Sequence, residues 1–219
     1  MSNNGYIKTN IEVIKQINPD DLSELVPDIY GKESGGSRVF KPLGSVSVGG
    51  SKLHLGVKVG ESDFERAMIP LIFTHEFADT AVIADRAPEI AHKLPRFMGL
   101  IEFDGNHAPA MLVEDMNPGR AKVRQVSASD RTRASLEAML PVGSELDQTV
   151  LNAGMAFDIA GQERILDLHP SPFLRPGGDR ELFKRYNALA DHYTQDLVIR
   201  VAHDSPLAEQ LRTDVAQPV

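Results

Sequence analysis

Cysteine is missing from all 219 residues. Its absence excludes disulfides, thiolate metal sites and a cysteine nucleophile together. Long apolar stretches are also scarce. No uninterrupted run approaches the length of a membrane helix, and the polar start, Met1 to Thr9, has no apolar core of the kind a cleavable signal peptide carries. Surplus positive charge is lacking too: the formal net charge is −8, with acids spread along the chain, which disfavours a nucleic-acid surface. Internal repeats and low-complexity tracts are not seen. The expectation is a protein with neither a membrane span nor a nucleic-acid partner.

What is present is ordinary globular material. Apolar residues make up 42% and charged residues 25%, with Gly 17 and Pro 14 as punctuation. A chain of this length can bury a sizeable core without staples.

Near the start, Asn10 is placed to cap a short helix carrying Ile11, Ile14 and Ile17, which Asn18-Pro19 ends. Ser45 to Val48, Gly49-Gly50 and Lys52 to Val59 read as a β-hairpin. On its second arm Leu53, Leu55, Val57 and Val59 share one face, and Lys52, His54, Gly56 and Lys58 the other. Glu61 to Ala91 is helical in tendency, with Pro70 at a helix start or at a break. Phe97 to Phe103 and Ala108 to Glu114, joined through Asp104-Gly105, spell a second hairpin. Ala121 to Ala128 reads as irregular. Asp130 to Leu140 and Glu145 to Leu151 read as helices, and Met155 to Leu168 as a third, short hairpin. Leu182, Tyr186, Leu189, Tyr193 and Leu197 recur at helical spacing, and Ser205-Pro206 can start a last helix.

Several of these segments carry chemistry-bearing residues in a suggestive order. Gly31, Gly35 and Gly36 stand in Tyr30-Gly-Lys-Glu-Ser-Gly-Gly-Ser-Arg-Val-Phe-Lys41, where glycine lets backbone N–H groups approach phosphate oxygens. Leu55-Gly-Val-Lys58-Val sets a small residue beside a lysine on one strand face, which suits a flat base above Gly56 and a cation on the phosphates. Ala110-Met-Leu-Val-Glu114-Asp-Met116-Asn-Pro-Gly is a strand running into a loop. Asp147-Gln-Thr-Val-Leu-Asn152 and Ile165-Leu-Asp167-Leu-His169 complete the series.

In this order the segments resemble a protein kinase, over roughly residues 29 to 174. Lys58 matches the lysine of the V-A-I-K strand, and Glu76 is the choice for its helix partner, with Glu65 and Glu89 competing. The resemblance makes Glu114 to Met116 a hinge whose backbone bonds the adenine edge. It makes Asp147 the catalytic Asp of H-R-D-x-x-x-x-N, Asn152 a metal ligand, and Asp167 the metal-binding Asp of D-F-G. A rival alignment matches Asp167-Leu-His-Pro-Ser-Pro-Phe-Leu174 to the D-L-H-P-G-N loop of small-molecule phosphotransferases. Three positions depart from the pattern: Glu33 replaces a loop glycine, Glu145-Leu146 replaces His-Arg, and His169 replaces Gly.

The resemblance implies an α+β, two-lobed kinase-like fold. It comprises an N-terminal helical extension (1–27), an antiparallel five-stranded small lobe with one main helix (28–114) and a reduced, mainly helical large lobe (115–219). The stretch after Asp167 is too short for a full large lobe, so truncated bacterial effector-type Ser/Thr kinases are the nearest kind. The resemblance also implies ATP- and Mg2+-dependent phosphoryl transfer to a protein hydroxyl, with Asp147, Lys58 and Asp167 catalytic and a protein as substrate. The expected location is cytoplasmic, or a host cell reached without a cleavable signal peptide. The oligomeric state stays open. The three departures favour an inactive kinase-like binding module as the alternative. A third reading takes His75-Glu76-Phe-Ala-Asp79 as a variant of H-E-x-x-H, a metal-dependent hydrolase with Glu76 as base.

Overall fold

The computed structural model describes residues 5–27, 38–60, 62–103, 110–139, 156–166, 172–174 and 179–213. Two compact units are interleaved along the chain. The first takes Thr9–Phe73, Phe97–Pro118 and Thr194–Val219, and the second Met1–Lys8, Thr74–Arg96 and Gly119–Tyr193.

The first unit is organised by a mixed five-stranded sheet. Strands β1 (Arg38–Val48) and β2 (Ser51–Gly60) form the expected hairpin, and Gly49 and Gly50 take the left-handed φ values of +55° and +78° that its two-residue turn requires. Strands β3 (Met98–Glu102) and β4 (Ala110–Glu114) form the second hairpin, around residues that lie outside the described set. Sheet order is β1-β2-β4-β3-β8. The fifth strand, β8 (Val198–Arg200), runs parallel to β3, with Leu100 opposite Val198 and Glu102 opposite Arg200. The sheet is therefore mixed, not wholly antiparallel as expected, and its fifth strand comes from the far end of the chain. Leu197, read as the last residue of a helical stripe, instead ends a 3-10 turn (Thr194–Leu197) that leads straight into β8.

One face of this sheet carries the unit's core. Leu53, Leu55, Val57 and Val59 of β2 join Leu112 of β4, Ile101 of β3 and Ile199 of β8. Covering them are Ile17 after helix α1 (Gly5–Gln16), Leu22 of α2 (Pro19–Ser23), and Leu207 and Leu211 of a C-terminal helix at Pro206–Thr213. Asn18 does end the first helix, and its side chain caps α2 by accepting the Asp20 N–H at 3.1 Å. Asn10 is not a cap. It lies inside α1, fully buried, and accepts the backbone N–H of Met98 at the start of β3. Its position on the stripe Ile7, Asn10, Ile14, Ile17 put a polar side chain where a buried N–H needed an acceptor.

Between β2 and β3 runs α3 (Asp63–Arg86), one uninterrupted helix with Pro70 inside it. Ser62 and Glu65 begin it as a capping box: the Glu65 N–H donates to the Ser62 hydroxyl at 3.2 Å, and the Ser62 N–H to the Glu65 carboxylate at 3.1 Å. Its residues to Phe73 belong to the first unit and those from Thr74 to the second. Phe64–Arg86 is long and apolar enough to cross a membrane by length and composition, but 61% of its apolar window is buried inside the protein, as in a core helix.

The second unit holds the three-stranded sheet β5-β6-β7. Strands β6 (Ala156–Ile159) and β7 (Gln162–Ile165) are the short third hairpin. The stretch read as irregular supplies β5 (Val123–Gln125), whose residues are all exposed and which holds its place by pairing with β6. Helix α4 (Asp130–Glu137) begins at Ser129, whose hydroxyl accepts the Thr132 N–H. Helix α5 (Arg180–His192) begins at Asp179, which accepts the Leu182 N–H at 2.9 Å. Helix α6 is the C-terminal Pro206–Thr213 of the first unit, opened by Ser205 as expected. The helix expected at Glu145 to Leu151 lies outside the described residues.

Candidate functional site around Lys58

Strand β2 positions Lys58. Alternation buries Leu55, Val57 and Val59 in the core and turns His54, Gly56 and Lys58 to the opposite face. Lys58 is half-buried, level with Phe40 of β1 on one side and Met111 of β4 on the other. Gly56 faces Pro42 and Val113.

The space above Gly56 is taken by the chain itself. A Cβ built at Gly56 would lie 2.3 Å from Cζ and 2.4 Å from Cε2 of the Phe40 ring. Phe40 sits diagonally across the ladder, opposite Lys58, so its ring leans along β2 onto the bare backbone of residue 56. A purine above Gly56, expected from sequence, would have to share this space with the Phe40 ring.

At its end β4 becomes a loop through a series of hydrogen bonds donated by backbone N–H groups. The Glu114 N–H donates to the Phe97 carbonyl at 3.0 Å, the Asp115 N–H to the His54 carbonyl at 2.8 Å, and the Asn117 N–H to the Asp115 carboxylate at 2.9 Å. The last is an Asx turn that fixes the exit of the strand. Glu114 and Asp115 are buried and Met116 half-buried. No hydrogen bond among the described residues uses the N–H or C=O of Met116.

Of the other expected site residues, Glu76 is buried on α3, in the half of that helix assigned to the second unit, and its carbonyl accepts the Thr80 hydroxyl at 2.7 Å. Gly31, Gly35, Gly36, Asp147, Asn152 and Asp167 lie outside the described residues. His75 packs edge-on against Phe183, with ring centres 5.4 Å apart. Among the described residues, no three His, Asp or Glu side chains converge as metal ligands would.

Sequence reading did not anticipate a second polar centre, in the second unit. The Lys93 ammonium donates to the Thr132 hydroxyl at 2.7 Å and to the Glu163 carboxylate, which also accepts the Ser129 N–H at 2.8 Å and the Ser129 hydroxyl at 2.7 Å. Burial pushes the Glu163 carboxyl up, but the bonds from Lys93, Ser129 and Thr132 outweigh it and hold the pKa down at about 2. These groups bind the 3-10 turn at Ala91–Lys93, α4 and β7 to one another. Nothing in the local spacing of Lys93 or Glu163 marks them, because the signal is their meeting in space. The second unit also holds a cleft of about 430 Å3 lined by Arg86, Glu89, Ser135, Asp179, Leu182 and Arg185, with charges of both signs.

The class that fold and site define is thus a mixed α+β protein with a half-buried lysine on an inner strand, beside a strand that ends in a partly open loop. No family model, no curated protein and no solved structure matches the chain.

Proposed function

We propose that this chain is an ATP- and Mg2+-dependent phosphotransferase of a kinase-like kind, acting on a protein hydroxyl. One observation carries the reading. Strands β2 and β4 are neighbours, and the Asp115 N–H bonds the His54 carbonyl, so the start of the Asp115–Asn117 loop and the Lys58 backbone lie four residues apart along β2, about 13 Å at roughly 3.3 Å per residue. That span suits a nucleotide with its base edge on the Met116 backbone and its phosphates on the Lys58 ammonium.

In this proposal Lys58 neutralises phosphate charge. Asn152 and Asp167 hold magnesium, and Asp147 accepts the proton of the attacking hydroxyl. Phosphoryl transfer asks little more of a protein than positioning and charge neutralisation, and magnesium needs only a few hard oxygen ligands besides water.

The test is transfer of label from γ-radiolabelled ATP, with Mg2+, to the protein itself and to a mixed protein acceptor. Lys58→Met and Asp167→Ala are expected to abolish it. Undiminished transfer by both variants would overturn the assignment. The Phe40 ring above Gly56 favours one other reading, a kinase-like binding module without activity. A wild type that transfers nothing, yet melts at a higher temperature with ATP, decides for that module.

A further inference from the structure

We propose that Phe40 is a built-in plug of the base site, and that nucleotide enters only when its ring swings out. The inference rests on the nucleotide reading above and adds its regulation. Three observations carry it. First, the ring atoms of Phe40 stand 2.3 and 2.4 Å from the position a Cβ would take at residue 56. Any residue but glycine would expel the ring, so Gly56 makes the room and Phe40 fills it. Second, the ring lies on the same sheet face as Lys58, directly across the ladder from it. It covers the stretch of β2 between the Asp115–Asn117 loop and the lysine, which a base held at that loop must overlie. A phenyl ring and a purine are both about one aromatic layer thick, and both cannot rest on one glycine.

Third, the plug is movable. Phe40 is half-buried, unlike the fully buried Leu55 and Val57 beneath it. Just past it the β1–β2 ladder slips at a bulge between Pro42 and Gly44, and Gly44 takes a φ of +122°. Such bulges loosen pairing and let a strand twist locally. Rotation of a partly exposed side chain is fast. The closed state therefore lowers apparent affinity by its share of the population and not by slowing entry.

Equilibrium titration with a fluorescent ATP analogue and Mg2+ tests the proposal, on wild type and Phe40→Ala. The variant is expected to bind roughly tenfold tighter, because the closed state no longer competes. Equal or weaker binding by Phe40→Ala, with wild type binding normally, would show the ring to be packing only and leave the phosphotransferase reading standing. Absence of binding by both proteins sinks the nucleotide reading itself. Phe40→Trp keeps an aromatic ring in place and introduces the only tryptophan of the chain. Its fluorescence is expected to be blue-shifted and shielded from acrylamide, then to shift red and become quenchable on adding ATP and Mg2+. An unchanged spectrum while the analogue binds overturns the plug.

Discussion

The Lys93 ammonium donates to the Glu163 carboxylate, with side chains only 11% and 16% exposed, and so fastens the 3-10 turn at Ala91–Lys93 to strand β7. Replacing Glu163 by Gln leaves a mostly buried ammonium short of its counter-charge. We expect a loss of about 2 kcal/mol, below the roughly 3–5 kcal/mol of a fully buried pair because some water reaches this one. For a chain of this size that is a fall of about 4–8 °C in Tm, measured by thermal melts at pH 7.

The same pair sets a pH dependence. The Glu163 carboxyl titrates at about 2 in the fold against an ordinary 4.5, so the unfolded chain takes up its proton first as pH falls. The stability it contributes is fully present above about 4.5 and is lost as pH drops through 2. Melts of wild type and Glu163→Gln should therefore converge between pH 4.5 and 2. A gap that stays constant over that range would show that Glu163 acts through shape and not charge.

Asp85 has the opposite sign. Burial pushes its carboxyl up, against the lowering effect of the Tyr6 N–H and of the Tyr186 hydroxyl that donates to it at 3.2 Å. A carboxyl raised in the fold favours the native state at low pH, and that advantage fades as pH rises through its folded pKa. Asp85→Asn keeps an acceptor for Tyr186 without the charge. The variant is expected to melt above wild type at pH 7, with the difference shrinking in acid. A variant less stable at pH 7 would mean that the charge on Asp85 helps the fold.

Two glycines of β2 should respond differently to alanine. At Gly60 the new Cβ would meet backbone, 2.7 Å from the Arg66 nitrogen and 2.8 Å from the Glu65 carbonyl carbon, where β2 turns into α3. At Gly56 it would meet mainly the far edge of the Phe40 ring, which can rotate away. We expect Gly60→Ala to cost about 2–3 kcal/mol and Gly56→Ala nearer 1 kcal/mol. Urea denaturation that reverses this order would mean that the Phe40 ring is held rigidly.

Asn10 offers a further check. Its buried side chain accepts the Met98 N–H, so Asn10→Leu strands a buried donor at the start of β3. The expected loss is about 1–3 kcal/mol. A denaturation midpoint unchanged from wild type would mean that Met98 finds another acceptor.

Much of this molecule could be read locally. Gly49-Gly50 between two alternating runs named the first hairpin, Asn18-Pro19 marked the junction of α1 and α2, and Ser205-Pro206 opened the last helix. Ser62-x-x-Glu65 is an equally legible start for α3, and a helix that begins there carries Pro70 inside it. Such features are written in neighbours three or four residues apart, where capping and alternation act.

Other features had no local trace. Val198 to Arg200 has strand-forming residues but no sequence neighbour to pair with, and only the free edge of β3 made it a strand. The polar run at Val123–Gln125 became one for the same reason, against β6. Asn10 looked like a cap because its type favours caps; a buried N–H far along the chain claimed it instead. At the candidate site, alternation correctly set Gly56 and Lys58 on one face, but it could not say that Phe40 would fill the space above the glycine.

By itself the sequence determined the periodicities: which residues of β2 face inward, where most helices begin, and that Lys58 stands away from the core side of its strand. Tertiary structure alone decided the partners: a parallel fifth strand, a lysine bonded to a glutamate seventy positions on, and a phenyl ring over a bare backbone. The physical reason is range. Periodicity and capping act between residues a few positions apart, whereas pairing and burial depend on which surfaces meet once the chain has collapsed.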